Sequence, residues 1–344
     1  MAKRKSNKKN RKNRLFLLIL LLSLSILLLI TSTYAWFTSN TTVSVESLDV
    51  NVTTVNGLQI SADAVNWKAK VLKNDISTAV NNYPAVKNFL PDTLDNVSTV
   101  GAVTNGYMDM FHGTVTANED GSYALYTNKV DEIGRTSSCT GDSECSGIYF
   151  IAFDLFFKVD AQTNVVLVGL NSGVTPKDAD TGIKNTVRVA FVKEGHVNVG
   201  STASEAQALR ATLAAGSSDV IIWEPNYDTH TQAGVDNALS VYGITVPQSG
   251  GSGLAYKGVK AEFAREVGVT INTTGNAAFS NYFADVTPTM RTIYGNTEDQ
   301  TFATLEAGVT KYRVYWWVEG QDVDTENGAT GKQMTLNLSF AKTN

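Results

Sequence analysis

The chain has 344 residues, 43% of them hydrophobic and 18% charged, which is ample material for a large core. Its net charge of −5 includes eight cations among the first fourteen residues, so residues 36–344 carry −13. Beyond residue 35 the longest basic feature is an isolated pair such as Lys257 and Lys260, which argues against nucleic acid as a partner.

The chain begins with Lys3, Arg4, Lys5, Lys8, Lys9, Arg11, Lys12 and Arg14, with no acid among them. The apolar run Leu15–Ile30 follows, broken only by Ser23 and Ser25, and that order is an export signature. The run is long for a cleaved signal core and short of the ~20 residues that span hydrocarbon. Two fates stay open. In one, the small side chains of Thr33 and Ala35 direct a signal peptidase to cut after Ala35, so that the mature chain starts at Trp36. In the other, residues 15–37 remain as an anchor with the basic tail held inside. Residues 1–35 are thus a hydrophobic signal or anchor helix that meets the membrane during export. Residues 36–344 form the domain that works outside the cytoplasm, secreted or at the cell surface.

A first strand is expected over Thr41–Val55. Its apolar positions are Val43 and Val45, then Leu48, Val50 and Val52, so the buried parity flips across Glu46-Ser47 and a bulge or a change of partner belongs there. A short helix is expected between Asp75 and Phe89. Cys139 and Cys145 are the only cysteines, and in an exported chain so close a pair reads as a loop disulfide. Tyr149–Val159 is apolar at every odd position and at several even ones, which predicts a central strand covered on both faces.

Strands are further predicted at Asn164–Leu170, Asn185–Lys193, Asp219–Glu224 and Glu266–Asn272. One helix interrupts them. Thr202-Ala203-Ser204-Glu205 has capping-box spacing, Ala206, Leu209 and Leu213 line one face, and Gly216 supplies the stop. The last two strands alternate most clearly: Tyr312, Val314, Trp316 and Val318 against Lys311, Arg313, Tyr315, Trp317 and Glu319, then Met334, Leu336, Leu338 and Phe340. With Trp316 inward, Tyr315 and Trp317 share the opposite face, an aromatic patch that either a loop covers or a partner binds. The expected architecture is all-β: an antiparallel β-sandwich with long loops and one or two short helices.

The segment Thr33-Tyr34-Ala35-Trp36-Phe37, followed by Val43-Ser44-Val45-Glu46-Ser47-Leu48-Asp49-Val50-Asn51-Val52, resembles the start of the TasA/camelysin family of secreted proteins. The resemblance covers the leader and the first strand. It implies a leader cut by a dedicated signal peptidase and a jelly-roll β-sandwich subunit of cell-surface or biofilm-matrix fibres. Such fibres form when the amino-terminal strand of one copy completes a sheet of the next, so the partner would be the protein itself and the donor strand would carry Val43, Val45, Leu48, Val50 and Val52.

No catalytic constellation is visible, and an enzyme is not expected. The three histidines, His112, His196 and His230, are isolated in sequence, and neither a His-Glu-x-x-His motif nor a Gly-x-Ser-x-Gly elbow occurs. No cofactor is expected apart from calcium. Asp322, Asp324 and Glu326 alternate before Gly328, a spacing that can converge on one hard cation, although the final bidentate ligand is missing and a solvated acidic hairpin gives the same pattern. The five tryptophans raise the alternative of a lectin-like, carbohydrate-binding sandwich.

Overall fold

A computed structural model describes residues 47–55, 57–117, 123–136, 149–177, 181–211, 219–239, 245–250, 256–269, 282–293, 295–325 and 333–343. Among these residues the fold is mostly β, in several sheets with few short helices, and its centre is a sandwich of two sheets. The first sheet contains β1 (Ser47–Val55), β3 (Lys70–Leu72), β10 (Thr163–Leu167), β11 (Gly173–Pro176), β18 (Gln300–Leu305) and β20 (Gln333–Lys342), in the order β18-β10-β20-β1-β3 with β11 on β20. The second contains β2 (Gln59–Ser61), β4 (Asn96–Val97), β9 (Ile151–Val159), β12 (Val187–Asn198), β13 (Val220–Glu224), β17 (Met290–Arg291) and β19 (Gly308–Glu319). Its order is β17-β13-β12-β19-β9-β2, with β4 on β19.

Alternation decides which side chains meet between the sheets. Val50 and Val52 of β1 and Leu336, Leu338 and Phe340 of β20 face Phe153 and Phe157 of β9, Phe191 of β12 and Val314 and Trp316 of β19, all of them buried. Phe302 and Phe340 sit with ring centroids 4.9 Å apart, and Phe157 approaches Phe340 edge-on at 5.0 Å. The central strand expected at Tyr149–Val159 is β9, which is buried on both faces.

Covering both faces of β9 requires a further layer, and long insertions supply it. The hairpin β5 (Val103–Thr104) and β6 (Tyr107–Met108), the three-stranded sheet of β7 (Met110–Ala117), β8 (Tyr123–Val130) and β15 (Phe263–Val269), and the pair β14 (Tyr256–Val259) and β16 (Phe283–Val286) lie beyond the two main sheets. They contribute Met108, Met110, Val130, Tyr256 and Val286 to a second core against Ala152, Ala190, Tyr315 and Trp317, on the outer face of the second sheet.

The capping box at Thr202 forms as read, with Thr202 Oγ1 accepting the Glu205 N–H at 3.2 Å. Its helix α2 (Ala203–Gln207) stops well before Gly216, because the chain turns so that Leu209 packs against Gly195 of β12. The helix expected between Asp75 and Phe89 is realised only as the short α1 (Lys73–Thr78), which starts two residues earlier, and a third, α3 (Gln232–Asn237), was not foreseen. Among the described residues no helix is long and apolar enough to cross a membrane. The leader, the cleavage site at Ala35 and Trp36, the strand positions Val43 and Val45, and the pair Cys139 and Cys145 lie outside the described residues.

The described part of the expected donor strand is β1. It is an inner strand of its own chain, parallel to β20 from Ser47↔Gln333 to Val55↔Ala341 and antiparallel to β3 on its other side. Val50 and Val52 therefore fill the chain's own core.

Candidate functional site

The outer face of β19 gathers the polar chemistry of the molecule. Lys311, Arg313, Tyr315, Trp317 and Glu319 point away from the sandwich core, and each is buried under the insertions. Tyr315 is 1% exposed and its hydroxyl accepts the Met108 N–H at 3.1 Å, while Trp317 is fully buried. The aromatic patch is thus a covered face, as the loop reading had it, and not an exposed interface. Trp223 and Trp316 are fully buried as well, and Trp67 lies half-buried beneath Lys158, 5.5 Å from its ring centroid. A sugar-binding platform would need exposed rings, and none of these four offers one.

At one end of this face Arg188 of β12 reaches the Glu319–Thr325 turn. Its Nη2 lies 2.5 Å from Asp322 Oδ2 and 2.7 Å from Glu224 Oε1, with all three side chains buried. Asp322 Oδ1 accepts the Asp324 N–H at 2.8 Å. Asp324 Oδ1 accepts both the backbone N–H (2.8 Å) and the hydroxyl (2.7 Å) of Thr231, the N-cap of α3, and its Oδ2 lies 3.0 Å from His230 Nδ1. Gly234 follows from this packing, because a Cβ there would collide with the Asp324 carboxylate. Glu319 accepts the indole N–H of Trp317 and the backbone N–H of Gln321, each at 3.0 Å.

Burial sets the charge states. It pushes the Glu224 carboxyl up to about 8, against the attraction of Arg188, and the Glu319 carboxyl up to about 7. Burial alone would lower His230, but the hydrogen bond to Asp324 and the charges of Asp322, Asp324 and Glu224 raise it overall. Arg188 stays protonated despite complete burial, because Glu224 and Asp322 flank it.

This geometry replaces both readings of the Asp322–Glu326 alternation. Asp322 and Asp324 are 5% and 0% exposed, so the turn is not a solvated hairpin. His230, Asp322 and Asp324 bring possible ligand atoms within 4.8 Å of one another, but all four carboxylate oxygens already take protein donors and the Arg188 guanidinium stands where a cation would. The donor set does not fit calcium, which takes six to eight oxygens. Glu326 lies outside the described residues.

A second buried group lies further along the same face. Asp154 of β9 holds Arg313 Nη1 at 2.9 Å and Lys311 Nζ at 3.1 Å, all three at 1% exposure or less. Burial opposes its charge, yet Arg313 and Lys311 together keep the Asp154 carboxyl below its ordinary range. On the opposite neighbour of β19, a bulge in β12 pairs Lys193 with Tyr312 and Gly195 with Lys311, leaving Glu194 without a register partner. Glu194 turns into the covered layer, where Oε2 accepts the Ala211 N–H at 3.3 Å and Oε1 has no hydrogen-bond partner. Burial pushes its carboxyl up to about 7.

Among the described residues the other histidines stay apart. His112 contacts the Asn96 carbonyl at 3.1 Å and His196 contacts Thr310 Oγ1 at 3.2 Å. Sequence reasoning missed Asp154, Glu194, Arg188, Glu224 and the company of His230. The available signal was a lone carboxylate inside the apolar run Tyr149–Val159, a position that needs a buried cation. No family model, curated protein or solved structure matches this chain. The reading of function therefore rests on the residues and their geometry.

Proposed function

We propose that the chain is a secreted structural subunit of a cell-surface or biofilm-matrix fibre, built on a jelly-roll-like sandwich, with copies joined by exchange of the first strand. The placement of β1 carries this reading. It lies parallel to the last strand of its own sheet, clamped between β20 and β3, and it is the segment that continues directly from the leader-proximal residues. Every one of its register pairs with β20 can be made equally by β1 of a second copy, so exchange loses no contact and leaves no open edge. The Gly57 turn, with φ +74, follows β1 and is where the chain would swing. The order of basic head, apolar run and Thr33–Phe37 segment supports export, and the covered outer face gives no support to the lectin-like alternative.

The exchange is tested with two variants that each add one cysteine to Cys139 and Cys145. Asn51 and Asn337 are register partners whose side chains hydrogen-bond at 3.2 Å. When Asn51→Cys and Asn337→Cys proteins are mixed and oxidised, a disulfide between positions 51 and 337 can form only between copies. The expected result is a 51–337 linked peptide across the mixture. Its absence, while the double variant closes the same bridge within one chain, would reject the exchange. Amino-terminal sequencing of material collected outside the cell should begin at Trp36, and an intact Lys3–Arg14 head on all of it would contradict release.

A further inference from the structure

We infer that Lys311 and Asp154 are poised to condense into an intramolecular isopeptide bond across β19 and β9, with Arg313 holding the carbonyl oxygen. The inference concerns the chemistry of the buried face and does not depend on fibre assembly.

The geometry supplies each part. Lys311 and Asp154 stand on adjacent antiparallel strands, where Phe156 is the register partner of Lys311 and Asp154 that of Arg313, so amine and carboxylate meet on the diagonal. Tyr83 Oη and the carbonyls of Gln207 and Leu209 lie within 3.2 Å of Nζ and suffice for its three N–H bonds. Asp154 Oδ2 comes to 3.1 Å as a fourth neighbour, placing the nitrogen against the carboxyl group. Nζ is fully buried, so the pair reacts without competing water and at the high effective concentration that a fixed geometry provides. Arg313 Nη1, 2.9 Å from Oδ1, is where an oxyanion would need its donor.

The step balances without any outside reagent. The Lys311 ammonium gives one proton directly to Asp154 Oδ2, 3.1 Å away, and the neutral amine attacks Cγ. The Nζ–Cγ bond forms, the negative charge gathers on Oδ1 beside Arg313, and a second Nζ proton passes to Oδ2. The Cγ–Oδ2 bond then breaks and water leaves, so ammonium and carboxylate become one amide with no change in oxidation state. Burial lowers the Lys311 amine from its ordinary range, which favours the nucleophilic form.

Tryptic mapping of the purified full chain decides the matter. An unreacted Lys311 is cleaved after, giving separate peptides 136–158 and 292–311. The expected result is instead a branched species joining 136–158 to 292–313, lighter than the sum of the two by one water and resistant to cleavage at Lys311. Peptides recovered only as the separate, full-mass pair would overturn the proposal and leave an ordinary buried ion pair. Asp154→Ala removes the carboxyl that Nζ would attack and should abolish the branched species while Lys311 becomes cleavable. A branched species that survives in Asp154→Ala would overturn the assignment of Asp154 as the partner of Lys311.

Discussion

The two faces of β19 differ in chemistry and agree in burial. The inner face presents Tyr312, Val314, Trp316 and Val318 to the sandwich core, while the outer face presents Lys311, Arg313, Tyr315, Trp317 and Glu319 to the insertions, and all nine are buried. Period-two alternation separates inside from outside, but it does not separate dry from wet. The inner face is held by dispersion and the removal of apolar surface from water. The outer face is held by charges whose desolvation is offset only because each has a partner, and such a face is sensitive to the loss of any one member.

The largest effects should come from removing one group from each face. Arg188→Ala leaves Glu224 and Asp322 buried without their cation and is expected to cost about 3–5 kcal/mol. Trp316→Ala, on the inner face, is expected to cost a similar ~3–5 kcal/mol through the cavity it leaves. Denaturant melts at two pH values separate the two. The Arg188→Ala loss should shrink at acid pH, where the stranded carboxylates protonate, and the Trp316→Ala loss should stay constant. Equal pH dependence in both would erase the distinction between the faces.

The wild-type pH profile comes next in size. Glu224, Glu319 and Glu194 have folded-state values of about 8, about 7 and about 7 against an ordinary 4.5, so the folded protein binds protons more tightly than the unfolded one. Their stabilising contribution is full below 4.5 and is lost as the pH rises through 7 to 8, and the raised His230 acts in the same direction. In chains whose Lys311–Asp154 pair is unreacted, Asp154 has the opposite sign, since its lowered value gives stability above 3.8 that is lost on further acidification. The melting temperature should therefore peak between about 4 and 7. Glu224→Gln should flatten the alkaline limb, and an unchanged limb would show that this carboxyl ionises freely in the fold.

Calcium should matter less still. With the guanidinium in place, adding calcium leaves the wild-type melting temperature unchanged. In Arg188→Ala, where Glu224, Asp322 and Asp324 are left close together, it should restore part of the loss. A large calcium shift in the wild type, removed by Asp324→Ala, would reinstate the metal reading. The smallest effect belongs to the exposed capping box, where Thr202→Ala is expected to cost about 1 kcal/mol with no pH or calcium dependence.

Much of the fold was legible because its signals are local. The alternation of residues 311–319 and 333–340, the doubly apolar run at residues 149–159 and the Thr202–Glu205 box each became the element they suggested. The site was not legible, because its partners are distant in the chain. Asp322 and Asp324 read as a loop facing solvent or calcium, and nothing in their own segment announces Arg188, 134 positions earlier, or Thr231, 93 positions earlier. Glu194 depends on a bulge, which shifts register without leaving a periodic mark. Whether β1 completes its own sheet or that of a second copy is not legible either, because parity identifies a buried face and not whose sheet buries it.

Insertions cover the outer face of β19, and under the proposed strand exchange the contact between copies belongs to β1 and not to an aromatic patch. Hydroxyl-radical footprinting of the native full chain, read residue by residue by mass spectrometry, tests that cover most directly. Trp67, half-buried, should be modified faster than Trp317 and Tyr315, which should remain as protected as Trp316. Modification of Trp317 at the rate of Trp67 would show the face to be bare and contradict the account.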